Sequence, residues 1–334
     1  MSNKIRWGII STAGINDAVL DPIRWAKRSE LAAVASRNLD KAKAYAAEKG
    51  IPKAYGSYED MLADPDIDVV YNPLPNTLHA EWTIKAAEAG KHVLCEKPIV
   101  TTLAELDQVE AAAKANNVTV FEAFMYLHHP QTLKVKEMTQ SGKFGDLQLI
   151  VTWFNFYLPP ENAGNIRLNP DLAGGSTWDV GVYPNSLSIV MSQAGAPVEV
   201  WASQINGETG VDIAMAAQLK FANGVTAQIS SGFRSPFRQG AHFIGSEGRL
   251  WVNDPWKPGD EGEQDSQVIF TDKDDRGETI VIPATNPYLC EVEAMEACVL
   301  DGADPVVPLS LSRNFLRTIL AIYESAKTGQ VVKL

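Results

Sequence analysis

The first 123 residues alternate short apolar runs with stretches of helical spacing, and this alternation restricts the chain to one class of fold. Residues 5–10, 31–35, 68–72, 91–95 and 118–121 each read as a buried strand. Asn38 is placed to cap a helix over residues 39–49 that stops at Gly50, and Thr77 to open one over residues 78–89 that stops at Gly90. Leu103, Leu106, Val109 and Ala113 recur at spacings of three and four, which predicts a helix within residues 101–116. Five strands alternating with helices mean a parallel sheet covered on both faces, because each parallel crossover is right-handed and carries its helix over the sheet.

The texture changes near residue 124. From about residue 146, strand-like runs follow one another with short turns, at residues 147–157, 198–204, 213–221, 226–231, 242–243 and 249–252. Asn223-Gly224 reads as a two-residue hairpin. The expected product is a large, mostly antiparallel sheet, accompanied by helices over residues 178–193, 290–300 and 311–327. Residues 259–265 and 271–277, acidic and glycine-containing, are expected as solvated loops. The chain is therefore read as α/β, with a doubly wound parallel sheet in residues 1–123 and an α+β domain with an open sheet in residues 124–334.

Charge and cysteine content narrow the partners. Basic residues number 29 against 41 acidic ones, a net charge of −12. Neutralising phosphates needs clustered Lys and Arg, so no nucleic acid and no anionic membrane surface is expected. Cys95, Cys290 and Cys298 write no disulfide framework and read as small buried hydrophobes in a reducing compartment. No segment reaches the ~20 apolar residues that a membrane span requires. Residues 1–10 run straight into a strand without a signal-peptide pattern, so the cytoplasm is the expected location.

Several residue groups carry candidate chemistry. Gly8 in the first strand leads into a turn of Ser11, Thr12, Ala13, Gly14 and Ile15, whose small residues let a pyrophosphate approach the backbone at a helix N-terminus. Ser11 and Ala13 stand where a dinucleotide fingerprint has glycine, and plain α/β turns also use small residues. Strand two ends in Ser36-Arg37-Asn38 with no acid before Asp40. An acid there would bind the ribose 2′-hydroxyl of NAD; Ser36 and Arg37 instead suit the 2′-phosphate of NADP(H). Lys97, before Pro98, lies past the carboxyl end of a parallel strand, where this kind of sheet holds its ligand. A surface Lys-Pro turn would look the same. Gly174-Gly175 precedes Asp179 and Tyr183, four apart on one helix face; a helix-start acid and a core aromatic are the plain alternative. Phe154 and Phe156 share one strand face and, with Arg167 as a donor, suit a pyranose, although a core aromatic pair fits equally. His128 and His129 read as a helix-start pair, and no metal is expected.

Taken together, these residues resemble the glucose–fructose oxidoreductase, inositol dehydrogenase and rhizopine-catabolism (Gfo/Idh/MocA) superfamily over essentially the whole chain. The resemblance rests on the strand-one turn, on Pro73-Leu74-Pro75-Asn76 with His79, and on Glu96-Lys97-Pro98. It extends to the Gly-Gly…Trp178-Asp179…Tyr183 segment, Gly245-Ser246-Glu247-Gly248 and the segment from Ile322 to Gly329. It implies a Rossmann domain, an open-sheet domain that pairs face to face in dimers or higher homo-oligomers, and cofactor contacts from Ser11, Thr12, Ala13, Gly14, Ile15, Ser36, Arg37, Pro73, Leu74, Asn76, His79, Glu96 and Lys97. It also implies that Tyr183 transfers the hydroxyl proton. A tyrosine of ordinary pKa near 10 ionises too little for this near neutrality, and a neighbouring Lys97 would favour the ionised form and bind the substrate oxygen. Asp179 would orient the substrate or Lys97.

Tyrosine rather than histidine at 183 resembles the branch of NADP-dependent aldose dehydrogenases and dimeric dihydrodiol dehydrogenase. The expected reaction is oxidation of an aldose of the xylose or glucose type at C1 to its lactone, with Phe154, Phe156, Arg167, Asp179 and Tyr183 at the substrate. The alternatives are a keto-sugar reductase, a trans-dihydrodiol dehydrogenase, an aldose–aldose oxidoreductase that retains its NADP, and a non-catalytic nucleotide sensor. Leu127 stands where many relatives have Arg, which removes one charged contact from the inherited substrate preference.

Overall fold

The computed structural model describes residues 4–162 and 164–334; the first three residues of the expected leaderless start lie outside them. The chain divides into two compact units.

The first unit comprises the residues up to Met125 together with Tyr288–Ser312. Its elements are β1 (Ile5–Ile10), α1 (Asp17–Trp25), β2 (Ser29–Ala35), α2 (Leu39–Lys49), β3 (Lys53–Tyr55), α3 (Tyr58–Leu62), β4 (Val69–Asn72), α4 (His79–Glu88), β5 (His92–Glu96), α5 (Leu103–Ala115) and β6 (Val120–Ala123). The strands form one parallel sheet in the order β3-β2-β1-β4-β5-β6. This is the Rossmann order, with the crevice at the carboxyl ends where the order reverses between β1 and β4. There are six strands rather than the expected five. The extra one, β3, is three half-buried edge residues, too short to show a period. Asn38 caps α2 by accepting the Lys41 N–H at 3.0 Å, and Gly50 ends it at a φ of 64°. Thr77 does not open α4. A 3₁₀ turn over Asn76–Leu78, closed by the Leu78 N–H on the Pro75 carbonyl, comes first and contains it.

The second unit comprises Tyr126–Pro287 and Arg313–Leu334. It contains α6 (Pro130–Thr139), β7 (Leu147–Tyr157), α7 (Val182–Ser192), β8 (Glu199–Asn206), β9 (Asp212–Lys220), β10 (Thr226–Gly232), β11 (Arg234–Gly245), β12 (Gly248–Val252), the one-turn α8 (Pro258–Gly262), β13 (Ser266–Asp272) and β14 (Gly277–Ile282). Beyond these lie α9 (Pro287–Asp301), α10 (Leu309–Thr328) and β15 (Val332–Lys333). Nine strands run β14-β13-β12-β11-β7-β10-β9-β8-β15, antiparallel except for the central β7–β10 pair.

Four expectations are corrected here. The segments expected as loops flank and overlap two strands: Ser266, Val268 and Phe270 are buried in β13 while Gln267 and Ile269 face outward, an alternation masked by the acids and glycines around it. Strand β11 is far longer than residues 242–243, because a register shift between Arg234 and Arg238 interrupts its pattern. The β9–β10 hairpin has a three-residue loop, closed by the Phe221 N–H on the Val225 carbonyl at 2.9 Å, with Gly224 in the left-handed third position. Finally, the sequence reading placed everything after residue 124 in one domain, whereas residues 288–312 return to the first unit. There Glu296 accepts the Arg28 N–H and the Ser29 hydroxyl, both at 2.8 Å.

One face of the nine-stranded sheet carries α7. The other presents Trp153, Trp251 and His242 in mutual ring contact, with Trp201 and Ile205 exposed.

Candidate functional site

In the first unit, the turn after β1 puts Ser11 at a φ of 74°. Its hydroxyl is buried and has no hydrogen-bond partner among the described residues, while its carbonyl accepts the Asn16 side-chain amide at 3.1 Å. A Cβ added at Gly14 would meet nothing within 4 Å, so the turn surface is open to a ligand. Thr12 and Ala13 extend that surface, and Ile15 is 40 % exposed. At the end of β2, Ser36 is buried and its Oγ receives only a long 3.4 Å contact from the Asn38 N–H. Arg37 is exposed beside the Tyr58 hydroxyl, whose pKa burial raises and the guanidinium lowers. The strand end itself, Ala35 to Asn38, carries no acidic side chain.

The loop after β4 is fixed from within. Asn72 is fully buried and donates to the His79 carbonyl and Thr83, while Pro73 and Leu74 are buried and Asn76 begins the 3₁₀ turn. His79 was expected to contact the cofactor. It is fully buried, with Nδ1 2.7 Å from the Pro98 carbonyl and Nε2 2.6 Å from that of Leu74. Burial pushes its pKa down to about 4. The ring is therefore neutral, donates its one N–H to one of these carbonyls and is enclosed between the two loops away from the surface.

One of those loops presents Lys97. Glu96 accepts the Tyr71 hydroxyl at 2.7 Å, the Lys97–Pro98 peptide is cis, and the Ile99 N–H donates to Glu122 Oε1 at 3.0 Å. The turn that presents half-buried Lys97 is thus anchored from β4, α4 and β6. Sequence reading missed Glu122. Its signal was a charged residue within a buried strand, and burial pushes its pKa up to about 7 against the pull of Ser312 and the Ile99 N–H. Cys95 is fully buried and its thiol is raised by desolvation, as suits an unreactive core residue.

In the second unit, Gly175 has a φ of +121°, and a Cβ there would come within 2.2 Å of Asp212 Oδ1. Asp212, also missed, gathers Ser176 Oγ at 2.7 Å, the Thr177 N–H and hydroxyl at 2.8 Å, and the Tyr323 hydroxyl at 2.8 Å. A wide π-helical turn over Thr177–Gly181 follows where a continuous α-helix was expected. Pro184 has no N–H to return to the carbonyl of Val180, four residues back, and the chain widens before α7. Asp179 lies in this turn, and its Oδ2 accepts from Arg167 Nε at 2.7 Å. Arg167, expected as a substrate donor, is held on Asp179.

Tyr183 is 7 % exposed and ringed by Phe154 at 5.4 Å, Trp256 at 5.6 Å and Tyr126 at 5.8 Å between centroids. Trp256 is fully buried, and its indole N–H donates to the Trp153 carbonyl at 3.2 Å. Nothing local in the sequence marked it. The phenylalanine pair divides: Phe154 joins this cage, whereas Phe156 packs on Phe233 within a core of Leu158, Leu168, Val180 and Val211. His129 caps α6, accepting the Gln131 N–H at 3.1 Å, and burial pushes His128 down to about 4.

The sequence pattern described as "Oxidoreductase family, NAD-binding Rossmann fold" (Gfo/Idh/MocA) matches residues 5–124, and that of the Gfo/Idh/MocA C-terminal domain matches residues 132–251. The chain belongs to the Gfo/Idh/MocA oxidoreductases. This oxidoreductase is 40 % identical over 329 residues to a D-xylose 1-dehydrogenase (NADP(+)) of Haloferax volcanii, covering 98 % of this chain and 99 % of that protein. A 3-ketoreductase from Actinomadura kijaniata, in complex with NADP and TDP-benzene, superposes with a TM-score of 0.87 at 32 % identity over 98 % of both chains. An aldose–aldose oxidoreductase from Caulobacter crescentus, complexed with glycerol, does so with a TM-score of 0.88 at 26 % identity, over 99 % of this chain and 100 % of that one.

The residues of the oxidoreductase fit a phosphorylated dinucleotide. The partnerless buried hydroxyl of Ser11 suits a phosphate oxygen, and Ser36 with exposed Arg37 suits a 2′-phosphate where no acid would repel it. Among the described residues no helix is long and apolar enough to cross a membrane.

Proposed function

We propose that this oxidoreductase oxidises a cyclic aldose of the xylose or glucose type at C1 to the lactone with NADP+, in the cytoplasm, as a homodimer joined through the open face of its nine-stranded sheet. The observation that carries the proposal is the packing around Tyr183, whose ring lies against half-buried Phe154 and is backed by the fully buried rings of Trp256 and Tyr126. Phe154 offers an apolar face to the C–H groups of a pyranose, and Tyr183 beside it offers the proton-transfer group, since the Tyr126 hydroxyl is engaged by Ser186.

When bound, the nicotinamide supplies the acceptor for the hydride that leaves C1. Tyr183, acting as its phenolate, takes the proton of the C1 hydroxyl and becomes the phenol, while Lys97, whose charge favours the phenolate, hydrogen-bonds the same oxygen as that oxygen's charge grows. Asp179, steadied by Arg167, orients the neighbouring hydroxyl. Ser11 through Ile15 and Glu96 would border the dinucleotide, and Ser36 and Arg37 would hold its 2′-phosphate. Pro73, Leu74 and Asn76 shape the loop beside it.

A panel of aldoses, keto-sugars and diols, followed by absorbance with NADP+ or NADPH, tests this reading. The expected result is turnover of D-xylose or D-glucose with NADP+, and a fall of about 10²–10⁴ in kcat for Tyr183→Phe with NADPH affinity retained. Turnover confined to keto-sugars with NADPH, or to diols, would replace the aldose. Full activity of Tyr183→Phe would move the proton role to Lys97.

A further inference from the structure

The second unit holds a cavity of about 500 Å³ bordered by α8 and the start of β13, within the ~300–1,000 Å³ range of small-molecule sites. Tyr183 does not line it. One wall is Phe237, 66 % exposed, whose ring stands edge-on to Phe154 at 6.2 Å; Phe154 in turn contacts Tyr183. The cavity's aromatic wall is thus two successive ring contacts from the reacting hydroxyl. The remaining lining is polar and includes Gln239, Asp254, Asp260, Asp265 and Ser266.

Two features of this lining suit a ligand. Ser266 is 3 % exposed, and its hydroxyl has no hydrogen-bond partner among the described residues. A buried hydroxyl left in that state is destabilising unless something outside the fold satisfies it. In addition, α8 turns the wrong way for an ordinary helix, with φ near +60° at Gly259, Asp260 and Glu261, and the Gly259 N–H is tied to Asp254 Oδ2 at 2.8 Å. Carboxyl and amide groups facing one exposed aromatic ring are the chemistry that recognises a sugar ring, with hydroxyls on the acceptors and C–H groups on the aromatic face. The lining's one ammonium, Lys257, is paired with Glu261, which disfavours an anionic ligand.

We infer that this cavity binds the second ring of an oligosaccharide whose reducing-end ring is oxidised beside Tyr183. The inference rests on the aldose reading above and extends its substrate from free pentoses and hexoses to short glycans.

The test uses the full chain with xylobiose and D-xylose, in wild type and in a Ser266→Ala, Asp260→Asn variant. Alanine removes a hydroxyl that has no partner in the fold, and asparagine tolerates the left-handed φ of 53° at position 260, so the variant keeps its fold. With NADP+, wild type is expected to show about tenfold higher kcat/KM for xylobiose than for D-xylose. The variant is expected to lose that advantage and keep its D-xylose rate within twofold. With NADPH bound, saturation-transfer NMR is expected to reach the non-reducing ring of xylobiose in wild type and not in the variant. Equal saturation of that ring in both proteins, or none in wild type, overturns the subsite. If no aldose is oxidised at all, the aldose reading falls, while the NMR comparison still decides whether the cavity holds a sugar ring.

Discussion

Tyr323, on α10, donates its hydroxyl to Asp212 Oδ1 at 2.8 Å, and the other oxygen of that carboxyl receives Ser176 and both donors of Thr177. The two residues are 111 positions apart, yet together they hold the turn from which Asp179 and Tyr183 are presented. Only glycine at 175 leaves room for the carboxyl. Tyr323→Phe is therefore expected to destabilise the protein by about 1–3 kcal/mol, because the buried oxygen loses its donor. Gly175→Ala should cost more, combining a steric clash with an unfavourable φ. Denaturant midpoints check both. A midpoint unchanged in Gly175→Ala would show that the turn can relax away from Asp212.

Glu122 gives a pH dependence whose sign follows from its surroundings. In the folded chain burial holds its pKa up near 7, whereas an unfolded chain would have it near 4.3. The folded state thus binds the proton more tightly, and the associated stability is fully present below pH ~4 and lost as pH rises through 7. The difference amounts to about 4 kcal/mol. Glu122→Gln keeps the acceptor for the Ile99 N–H without the titration. It should flatten the decline between pH 5 and pH 8, leaving a residual slope from Glu291, which is raised in the same direction by burial and Glu96. Parallel declines in wild type and variant would show that Glu122 is already ionised at pH 5.

What could be read from the sequence was what local pattern encodes. Helix α2 announces itself through Asn38, its alanines and Gly50, and β7 through an alternation that matches its observed bounds. The turn bearing Lys97 and the segment bearing Asp179 and Tyr183 were found because Gly-Gly and Lys-Pro leave a mark on the chain. Trp256 left none: it reaches Tyr183 across 73 residues through the sheet, and no periodicity near residue 256 records the contact. Glu296 is similar, since its partners Arg28 and Ser29 lie at the opposite end of the sequence. His79 shows the converse, a histidine whose residue type suggests a ligand contact and which folding buries between two backbone carbonyls.

Cofactor choice should be reversible at the end of β2. Ser36 and Arg37 are the donors proposed above for a 2′-phosphate, and each charge-assisted bond would be worth about 1.5–3 kcal/mol. Ser36→Asp with Arg37→Ile removes those donors and installs an acceptor for a 2′-hydroxyl. The ratio of kcat/KM for NADP+ over NAD+ should fall by at least about 100-fold, the equivalent of roughly 3 kcal/mol. Steady-state rates at saturating sugar provide the measurement. A wild type that already prefers NAD+ would remove the assignment of these two residues.

The open face of the nine-stranded sheet gives the last expectation. Trp153, Trp251 and His242 stack across β7, β12 and β11, and Arg238 lies over the Trp153 ring at 4.5 Å. Trp201 at 47 % exposure and Ile269 at 37 % extend apolar surface to strands on both sides of that stack. A stable dimer covers about 800 Å² on each partner, and an apolar sheet face left in water is the kind of surface such contacts use. Trp201→Asp with Ile269→Asp places a charge on each flank without touching the buried side of the sheet. Sedimentation velocity should show wild type as a dimer and the variant as a monomer, with far-UV circular dichroism unchanged. A monomeric wild type at micromolar concentration would assign this face to some other partner.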